Sequence, residues 1–375
     1  MKAFLFPGQG SQHIGMGEGL FERYSEMTEA ADTVLGYSIA DLCLRDPDKQ
    51  LTQTEFTQPA LFVVNAMMAR AQQDDSGAPD IAAGHSVGEY NALHQAGVVN
   101  FEDGLRLVQK RGALMSTAPK GGMAAVIGLT PDRIATVLQD NGFASIDVAN
   151  LNSDKQTIIS GLIEDISAVE PFFSDAGAMY IPLNVSGAFH SRYMAPVQEE
   201  FEAFLGEFRF EAPGIPVIAN VDARPYQDGC TAQMLAQQLT SPVRWQESIG
   251  YMLNLGVGHF FETGPGNVLS KLVAGIRKQH VVTPVETELP PQAGSPPVLQ
   301  EETQAQEAKT PVQIVEDWNT QHSAGIDVQV NGYDGVMKTR SEAILLFGHR
   351  PAVYMEGYSG YFALSDVTPI EAQLS

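Results

Sequence analysis

The length, composition and charge of this chain exclude several classes of protein. Its 375 residues are 44% hydrophobic and 18% charged, which is ordinary for a globular protein with one large domain or a few smaller ones. The formal net charge of −23 argues against nucleic acids and anionic membranes as partners, because both select basic surfaces.

Targeting and thiol signals favour a cytoplasmic protein. The N-terminal residues, from Met1 to Gly8, lack the apolar core of a signal peptide. No apolar run approaches the roughly 20 residues that a membrane span requires. Because Cys43 and Cys230 lie far apart and without metal-ligand spacing, we expect reduced thiols and no metal site.

The first predicted elements are a buried strand over Lys2–Phe6 and a loop over residues 7–12. The loop contains a proline, two glycines and two glutamines. It becomes functionally interesting only if its strand lies beside the strand predicted at residues 81–83, because both would then end at the same edge of one sheet. A helix over residues 58–73 is apolar on nearly every side, which predicts a central position.

The residues after that second strand match the pattern Gly-x-Ser-x-Gly, from Gly84 through Ser86 to Gly88. A helical pattern begins after Ser86. In such a motif a sharp strand-to-helix turn strains the serine backbone and places its hydroxyl above the free N–H groups of a helix N-terminus. The pattern therefore predicts a nucleophilic serine, and the alternative is a glycine-flanked surface serine.

The helix predicted over residues 101–118 carries an arginine on its apolar stripe. Arg111 lies four residues after Leu107 and three before Leu114, and so shares their face. Its stem could be buried with its head group in water. Alternatively, its guanidinium lies at the floor of a pocket and meets an anion, since an unpaired buried charge is costly.

Residues 122–186 change in pattern and predict a separate small unit. Strands are predicted at residues 123–128, 146–149, 157–161 and 179–185, with helices at 131–141 and 164–176. This βαββαβ order is that of a ferredoxin-like unit. The larger α/β pattern resumes afterwards, with strands at 216–220 and 258–262 and a helix at 268–278, so we interpret the unit as an insertion.

His190 follows the last strand of that unit, beside a glycine, where a side chain can face a cleft. A lone histidine is more often structural, but Ser86 has no base close to it in the sequence. His13 and His94 lie in or beside helices predicted to face solvent. The side chain of His85 should point away from that of its neighbour Ser86.

The C-terminal part of the chain changes composition twice. Residues 280–311 are rich in proline and polar side chains and predict an extended linker. The tail that follows predicts a short helix at 315–319 and strands at Asp327–Val330, 343–347, 352–356 and 361–364. It is interpreted as a small β-rich module without a catalytic constellation.

Taken together and in order, five segments resemble the malonyl-CoA:acyl carrier protein transacylase family; they are residues 6–12, 84–89, 109–112, 187–191 and 262–266. Within that family, the chain looks like the free-standing acyltransferases that serve polyketide synthases lacking built-in acyltransferase domains. The resemblance covers residues 1–280, and the motifs together are highly specific. The tail is similar to C-terminal extensions of some of those enzymes, which is a much weaker match.

The resemblance implies an α/β fold with an α/β-hydrolase-like core and an inserted ferredoxin-like subdomain. On this basis the core comprises residues 1–122 and 187–279, and the inserted subdomain residues 123–186. A Pro-rich linker at 280–311 would then lead to a small C-terminal β module at 312–375.

The resemblance also implies roles for the residues that match the family's motifs. Ser86 would be the acyl-carrying nucleophile and His190 its base. The partner that orients the histidine would be a backbone carbonyl, that of Gln238. Backbone N–H groups of Gln9 and Val87 would form the oxyanion hole.

Two further residues would select the substrate. Arg111 would hold the malonyl carboxylate, and the bulk of Phe189 would favour malonyl over methyl-branched extender units. The implied reaction is ping-pong transfer from malonyl-CoA, through an ester of Ser86, to the phosphopantetheine thiol of an acyl carrier protein, for polyketide or fatty acid biosynthesis. The implied partners are malonyl-CoA, an acyl carrier protein and a polyketide synthase, with no metal or other cofactor.

Two other functions stay open at this point. An editing hydrolase of the same fold would strip acyl groups from carrier proteins, although such relatives tend to lack an arginine at the position of Arg111. A non-catalytic scaffold would only recruit synthase partners, which the intact Ser86 and His190 disfavour.

Docking of a carrier protein sets a further requirement. Carrier proteins are usually acidic, as is this chain, so docking needs a local basic patch. Sequence spacing does not place the candidate cations on one face; they are Lys110, Arg192, Arg224, Arg277 and Lys278.

Overall fold

The computed structural model describes residues 1–281, 311–330, 335–346, 350–357, 361–364 and 367–370. The chain divides into two units, Met1–Ser295 and Pro296–Ser375. The mixed α/β class predicted from the sequence is confirmed, since strands and helices alternate through the first unit. None of the helices in the described part of the chain combines the length and apolar character needed to cross a bilayer.

The elements of the first unit follow one another with short connections. In chain order they are β1 (Lys2–Phe6), α1 (Leu20–Arg23), α2 (Ser25–Leu35), α3 (Ile39–Leu44), α4 (Thr54–Ser76), β2 (Ile81–Gly84), α5 (Gly88–Gln95), α6 (Phe101–Ser116), β3 (Gly122–Ile127), α7 (Pro131–Asp140), β4 (Asp147–Ser153), β5 (Gln156–Gly161), α8 (Ile163–Ala168), α9 (Glu170–Asp175), β6 (Met179–Pro182), α10 (Ala195–Leu205), β7 (Val217–Ile218), α11 (Thr231–Gln238), α12 (Trp245–Asn254), β8 (His259–Glu262) and α13 (Val268–Gln279). A 3₁₀ turn, Arg192–Met194, precedes α10.

A parallel sheet of four strands, in the order β7-β2-β1-β8, positions the candidate site. Phe6 at the end of β1 pairs with Gly84 at the end of β2. The Phe6 carbonyl then accepts the His85 N–H at 2.9 Å. The loop over residues 7–12 therefore lies beside the turn that carries Ser86, which is the arrangement on which its functional interest depends.

Two long helices pack against each other beside this sheet. The middle of α4 is buried on every side, so the predicted central helix is confirmed. Helix α6 begins where the Asn100 side chain accepts the Asp103 N–H at 2.7 Å, a typical N-cap. The apolar stripe of α6 is buried together with Arg111.

A second, antiparallel sheet has the strand order β4-β5-β3-β6, and the core on one of its faces includes residues of α7, α8 and α9. The single helix predicted at residues 164–176 is wrong, because the segment forms α8 and α9 instead. Pro171 lies in the first turn of α9, where its missing N–H is tolerated. Within one continuous helix its ring would clash with the carbonyl of the preceding turn.

The pattern does not predict α1 to α3. Helices α1 and α3 have only 4 and 6 residues, and α1 begins after Gly19, whose φ of 75° lies outside the helical region. Strand β7 is also shorter than the predicted residues 216–220, because the Ala219 N–H turns back to the Arg224 carbonyl at 2.9 Å. In these segments tertiary packing determines the structure more than periodicity does.

The second unit contains one described helix, α14 (Pro311–Gln321), and short antiparallel strands. The strands are β9 (Asp327–Val330), β10 (Met337–Lys338), β11 (Ile344–Leu346), β12 (Arg350–Tyr354), β13 (Tyr361–Ala363) and β14 (Val367–Pro369). They form two sheets, in the orders β10-β9-β14 and β11-β12-β13. Most of the predicted linker, at residues 282–310, lies outside the described residues.

Candidate active site

Ser86 occupies a tight turn between β2 and α5. Its φ of 54° lies in the left-handed region, which is uncommon for a residue with a side chain. The turn leaves no room beside it, since a Cβ on Gly88 would lie 2.1 Å from the Phe6 carbonyl oxygen. The Asn220 side chain holds this backbone, accepting the Ser86 N–H at 2.8 Å and donating to the Gly84 carbonyl at 2.7 Å. These contacts fix the direction of the hydroxyl.

His190 reaches the serine from the segment that follows β6. Its Nε2 lies 2.8 Å from Ser86 Oγ, and its Nδ1 lies 2.9 Å from the Gln238 backbone carbonyl oxygen. Because a carbonyl can only accept, Nδ1 carries the hydrogen and Nε2 is left to accept the serine O–H. Burial, together with the positive charge of Arg111, lowers the pKa of His190 to about 3. The ring is therefore neutral at physiological pH.

Arg111 completes the cluster from α6. It is 1% exposed, which excludes the alternative of a head group in water. Its Nη1 donates to Gln58 Oε1 at 2.7 Å, and its Nη2 donates to Gln238 Oε1 at 2.8 Å and Ser86 Oγ at 3.2 Å. Its Nε has no hydrogen-bond partner among the described residues. The guanidinium lies 5.7 Å from the centre of the Tyr90 ring. A buried cation that has no hydrogen bond to a carboxylate of the described residues thus faces the serine.

These three side chains line a small cavity of about 90 Å³. The volume that a water molecule occupies in the liquid is about 30 Å³, so the cavity suits a group of a few heavy atoms. The other predicted site residues with a place in its wall are Gln9, Val87 and Phe189. A larger cleft of about 460 Å³, between α12 and α13, contains none of the predicted site residues.

One histidine prediction is wrong, and another stays a prediction. His85 is among the residues that line the cavity, and its Nε2 bonds Asn152 Oδ1 at 2.9 Å; that its side chain points away from that of Ser86 stays a prediction. His94 does not face solvent: it packs against the rings of Phe62 and Phe101. His13 is exposed.

Sequence reasoning missed a layer of polar residues beneath the serine. Glu89 is fully buried, and burial raises its pKa to about 7. Its carboxylate accepts the Asn220 N–H at 3.1 Å, the Tyr226 hydroxyl at 2.5 Å and the side-chain amide of Gln238. A carboxylate directly after Gly88 is the only sequence signal for this layer. The signal is weak, because acidic side chains are common in the first turn of a helix, where the helix dipole favours them.

Metal binding has no evident place here. Among the residues that the structure describes, no group of three or more histidine, cysteine or carboxylate side chains could hold a metal ion. The polar atoms around the cavity are donors and acceptors suited to a small organic group.

Comparison with known proteins gives consistent matches. The sequence model of the acyl transferase domain family matches residues 3–327 of this chain. The polyketide biosynthesis malonyl CoA-acyl carrier protein transacylase BaeC of Bacillus velezensis is 50% identical over 287 residues, which are 76% of this chain and 99% of that protein. The polyketide biosynthesis protein ThaF of Burkholderia thailandensis is 51% identical over 281 residues, 74% of this chain but only 24% of that longer protein. The crystal structure of a malonyl CoA-acyl carrier protein transacylase from Burkholderia pseudomallei superposes with a TM-score of 0.73 at 49% identity, covering 76% of this chain and 99% of that one.

Proposed function

This chain belongs to the acyl transferase domain family, and we propose from that premise that it transfers a malonyl group from malonyl-CoA to the phosphopantetheine thiol of an acyl carrier protein. The product supplies extender units to a polyketide synthase; in support, the names of two relatives place those proteins in polyketide biosynthesis. One observation carries the proposal: the buried guanidinium of Arg111 lies 3.2 Å from Ser86 Oγ, inside a small cavity. A cation at that position suits an acyl group that carries its own carboxylate.

The first half-reaction loads the serine. Ser86 Oγ attacks the thioester carbonyl of malonyl-CoA while His190 Nε2 takes the hydroxyl proton. The tetrahedral intermediate collapses, the carbon–sulfur bond breaks, and the proton on His190 passes to the departing CoA thiolate. Free CoA leaves, and malonyl remains as an ester of Ser86.

Developing charge on the carbonyl oxygen needs donors. We assign this role to the backbone N–H groups of Gln9 and Val87, both of which line the cavity beside Ser86. The N–H of Val87 comes from the beginning of α5, where a helix dipole favours negative charge. The loss of one such donor typically reduces turnover by ~10²–10³-fold.

The second half-reaction reverses these steps. The phosphopantetheine thiol attacks the ester carbonyl and gives its proton to His190. The ester bond breaks, and His190 returns the proton to Ser86 Oγ. The hydrogen bond from Nδ1 to the Gln238 carbonyl holds the imidazole in the tautomer that both halves require.

Substrate choice follows from two side chains. Arg111 pairs with the malonyl carboxylate in the forked geometry of a guanidinium, which an acetyl group cannot use. Phe189 is 4% exposed and lines the cavity, so its ring opposes methyl-branched extender units. The proposal includes no metal or other cofactor.

The same proposal extends to the architecture. We interpret the parallel sheet and its helices as an α/β-hydrolase-like core, 1–122 and 187–279, and the β4-β5-β3-β6 sheet as an inserted ferredoxin-like subdomain, 123–186. A linker at 280–311 joins this catalytic unit to a small C-terminal β module at 312–375.

The protein acts in the cytoplasm, where malonyl-CoA and carrier proteins are found.

Incubation with radiolabelled malonyl-CoA tests the function. We expect a stable labelled protein that is discharged by a phosphopantetheinylated acyl carrier protein and is absent in Ser86→Ala. Rapid release of free malonate would instead indicate an editing hydrolase. A folded protein that takes no label would be a scaffold.

A further inference from the structure

The carboxylate of Glu89 lies beneath Ser86 and takes no part in the proposed chemistry. It is fully buried in the first turn of α5, and its backbone N–H donates to the Ser86 carbonyl at 3.0 Å. Its side chain accepts from the Asn220 N–H, the Tyr226 hydroxyl and the Gln238 amide. Burying an ionised carboxylate is costly, and the three donors offset part of that cost. A carboxylate kept in such a position indicates a role for Glu89 beyond packing.

Gln238 joins this carboxylate to the residues around the cavity. Its side-chain NH₂ donates to Glu89 and, at 3.0 Å, to the Ser86 carbonyl. Its side-chain oxygen accepts from Arg111 Nη2 at 2.8 Å. Its backbone carbonyl accepts from His190 Nδ1 at 2.9 Å. One residue thus touches the nucleophile, the base and the cation.

The direction of the Gln238 amide is chemically determined. A carboxylate only accepts hydrogen bonds, and a guanidinium only donates them. With Glu89 on one side, the NH₂ must face the carboxylate, which leaves the amide oxygen for Arg111. With a neutral amide in place of Glu89, only the Ser86 carbonyl still holds the NH₂ on that side, so the opposite orientation, with an NH₂ group against Arg111, becomes more accessible.

The interposed glutamine also keeps the cation available. A direct ion pair would occupy the donors of Arg111 with a carboxylate of the protein itself. Here the negative charge of Glu89 acts on Arg111 through space, while none of the guanidinium hydrogen bonds within the described part of the chain goes to a carboxylate. The cation is stabilised in its buried position and can still receive an acyl carboxylate.

We propose that Glu89 is a positioning residue for Arg111: by orienting the Gln238 amide, it holds the guanidinium beside Ser86 and so sets the preference for malonyl over uncharged acyl groups. This inference rests on the proposed function. Glu89 touches neither substrate nor reacting atoms, and it acts through one intervening side chain.

The test is the ratio of kcat/KM for Ser86 acylation by malonyl-CoA and by acetyl-CoA, measured on the full chain at pH 8. At that pH Glu89 is ionised, since its pKa is about 7. In Glu89→Gln we expect the malonyl-to-acetyl ratio to fall by roughly 10- to 100-fold, the effect of one lost hydrogen bond to a charged group. Acetyl loading falls less, because His190 is held by the backbone of Gln238 and not by its amide.

A reciprocal exchange separates the position of the carboxylate from its charge. In Glu89→Gln combined with Gln238→Glu, the buried negative charge is kept, but the carboxylate at position 238 pairs directly with Arg111 and occupies its donors, so the malonyl-to-acetyl ratio should stay as low as in Glu89→Gln. Tyr226→Phe is the matched control, because it removes a hydrogen bond to the same Glu89 carboxylate and leaves the Gln238 contact in place. It should leave the ratio unchanged.

Each outcome is decisive. A folded Glu89→Gln variant that keeps the wild-type malonyl-to-acetyl ratio overturns this inference but not the proposed function. The same holds for a Tyr226→Phe variant that lowers the ratio as much as Glu89→Gln does. If Glu89→Gln does not fold, the reciprocal double variant decides: a malonyl-to-acetyl ratio roughly 10-fold or more below the wild-type value supports the inference, and a ratio near the wild-type value overturns it. A wild-type chain without any malonyl preference overturns the proposed function itself.

Discussion

At the scale of single residues, Ser86 and His190 share an unusual backbone. Their φ angles are 54° and 56°, and both lie in the left-handed region that side chains disfavour. The two residues face each other with 2.8 Å between Oγ and Nε2. The strained backbone of each residue therefore helps to hold Ser86 Oγ and His190 Nε2 in one short, well-directed contact.

Sequence reasoning found some of these residues and missed others for a physical reason. Ser86 and Arg111 produce local signals, a glycine-flanked turn and a polar residue on an apolar stripe. The contacts of Ser86 with Asn220 and with Gln238 join residues 134 and 152 positions apart, and no local pattern encodes them. Glu89 was missed because a carboxylate in a first helical turn usually faces water.

Removal of the guanidinium should change the preference for substrate more than the chemistry. We expect Arg111→Ala to abolish the malonyl preference while acetyl loading survives or rises, because only malonyl offers a carboxylate. Competition between labelled malonyl-CoA and acetyl-CoA measures this. Arg106→Ala is the control on the same helix, where the arginine is exposed and paired with Asp103 at 2.9 Å. A parallel fall of both rates in Arg111→Ala would show that the carboxylate role is wrong.

The depressed pKa of His190 predicts an unusual pH profile. A general base works in its neutral form, which persists above a pKa of about 3. Labelling of Ser86 by an uncharged fluorophosphonate should therefore stay nearly constant from about pH 8 to pH 5. Ser86→Ala serves as the blank. A decline centred near pH 6.5, the ordinary value for histidine, would contradict the buried, neutral imidazole.

At the scale of elements, the turn between β2 and α5 depends on the close approach of backbone to backbone. Gly88 begins α5 against the end of β1, where a Cβ would lie 2.1 Å from the Phe6 carbonyl oxygen. No side chain fits without separating the helix from the sheet. This is why the second glycine of the motif is a packing requirement as well as a turn signal.

Substitution of that glycine should therefore loosen the element. We expect Gly88→Ala to lower the free energy of unfolding by about 1–3 kcal/mol, as overpacking of a core does. Urea denaturation measures the change. The matched control is Gly275→Ala on α13, where nothing lies within 4 Å and alanine favours the helix. Equal stability of the two variants would refute the tight contact.

The elements that sequence periodicity predicted well are those with a single strong pattern. Strand β1 was predicted with its observed bounds, and α4 was predicted as central, because unbroken apolar runs leave few alternatives. Periodicity alone joined α8 and α9, since Pro171 in the first turn of α9 interrupts the backbone and not the apolar pattern. Helices α1 and α3 are too short for a pattern to emerge, whereas α2, with 11 residues, was missed although its length is sufficient.

At the scale of the whole molecule, the candidate docking cations differ in their partners. Lys110 bonds Glu200 at 2.7 Å, Arg192 pairs with Asp147, and Arg277 donates to the Gly258 carbonyl at 3.3 Å. These contacts reduce the attraction that those side chains offer an acidic partner. Their positions could not be derived from the sequence, since each partner lies in a different element.

The first unit should suffice for acylation. Every residue assigned to the chemistry lies within residues 9–238, and BaeC aligns over 99% of its own length with only 76% of this chain. We expect a protein that ends at Val281 to form the labelled malonyl ester at a rate within about threefold of the full chain. Circular dichroism establishes whether the shortened protein is folded. A folded but unlabelled protein would assign the C-terminal unit a part in the active enzyme.

The hydrogen bonds of Gln238 have a practical consequence for engineering. Engineering the protein to load a different acyl group means changing residues near the cavity. A substitution at position 238 would alter contacts with Ser86, His190 and Arg111 at once. Positions 115 and 189 line the cavity, unlike position 238, and among the described residues no hydrogen bond joins their side chains to Ser86, His190 or Arg111. Variant libraries that aim to change the acyl group should begin at these two positions, where substrate preference can be changed while the contacts of Gln238 stay in place.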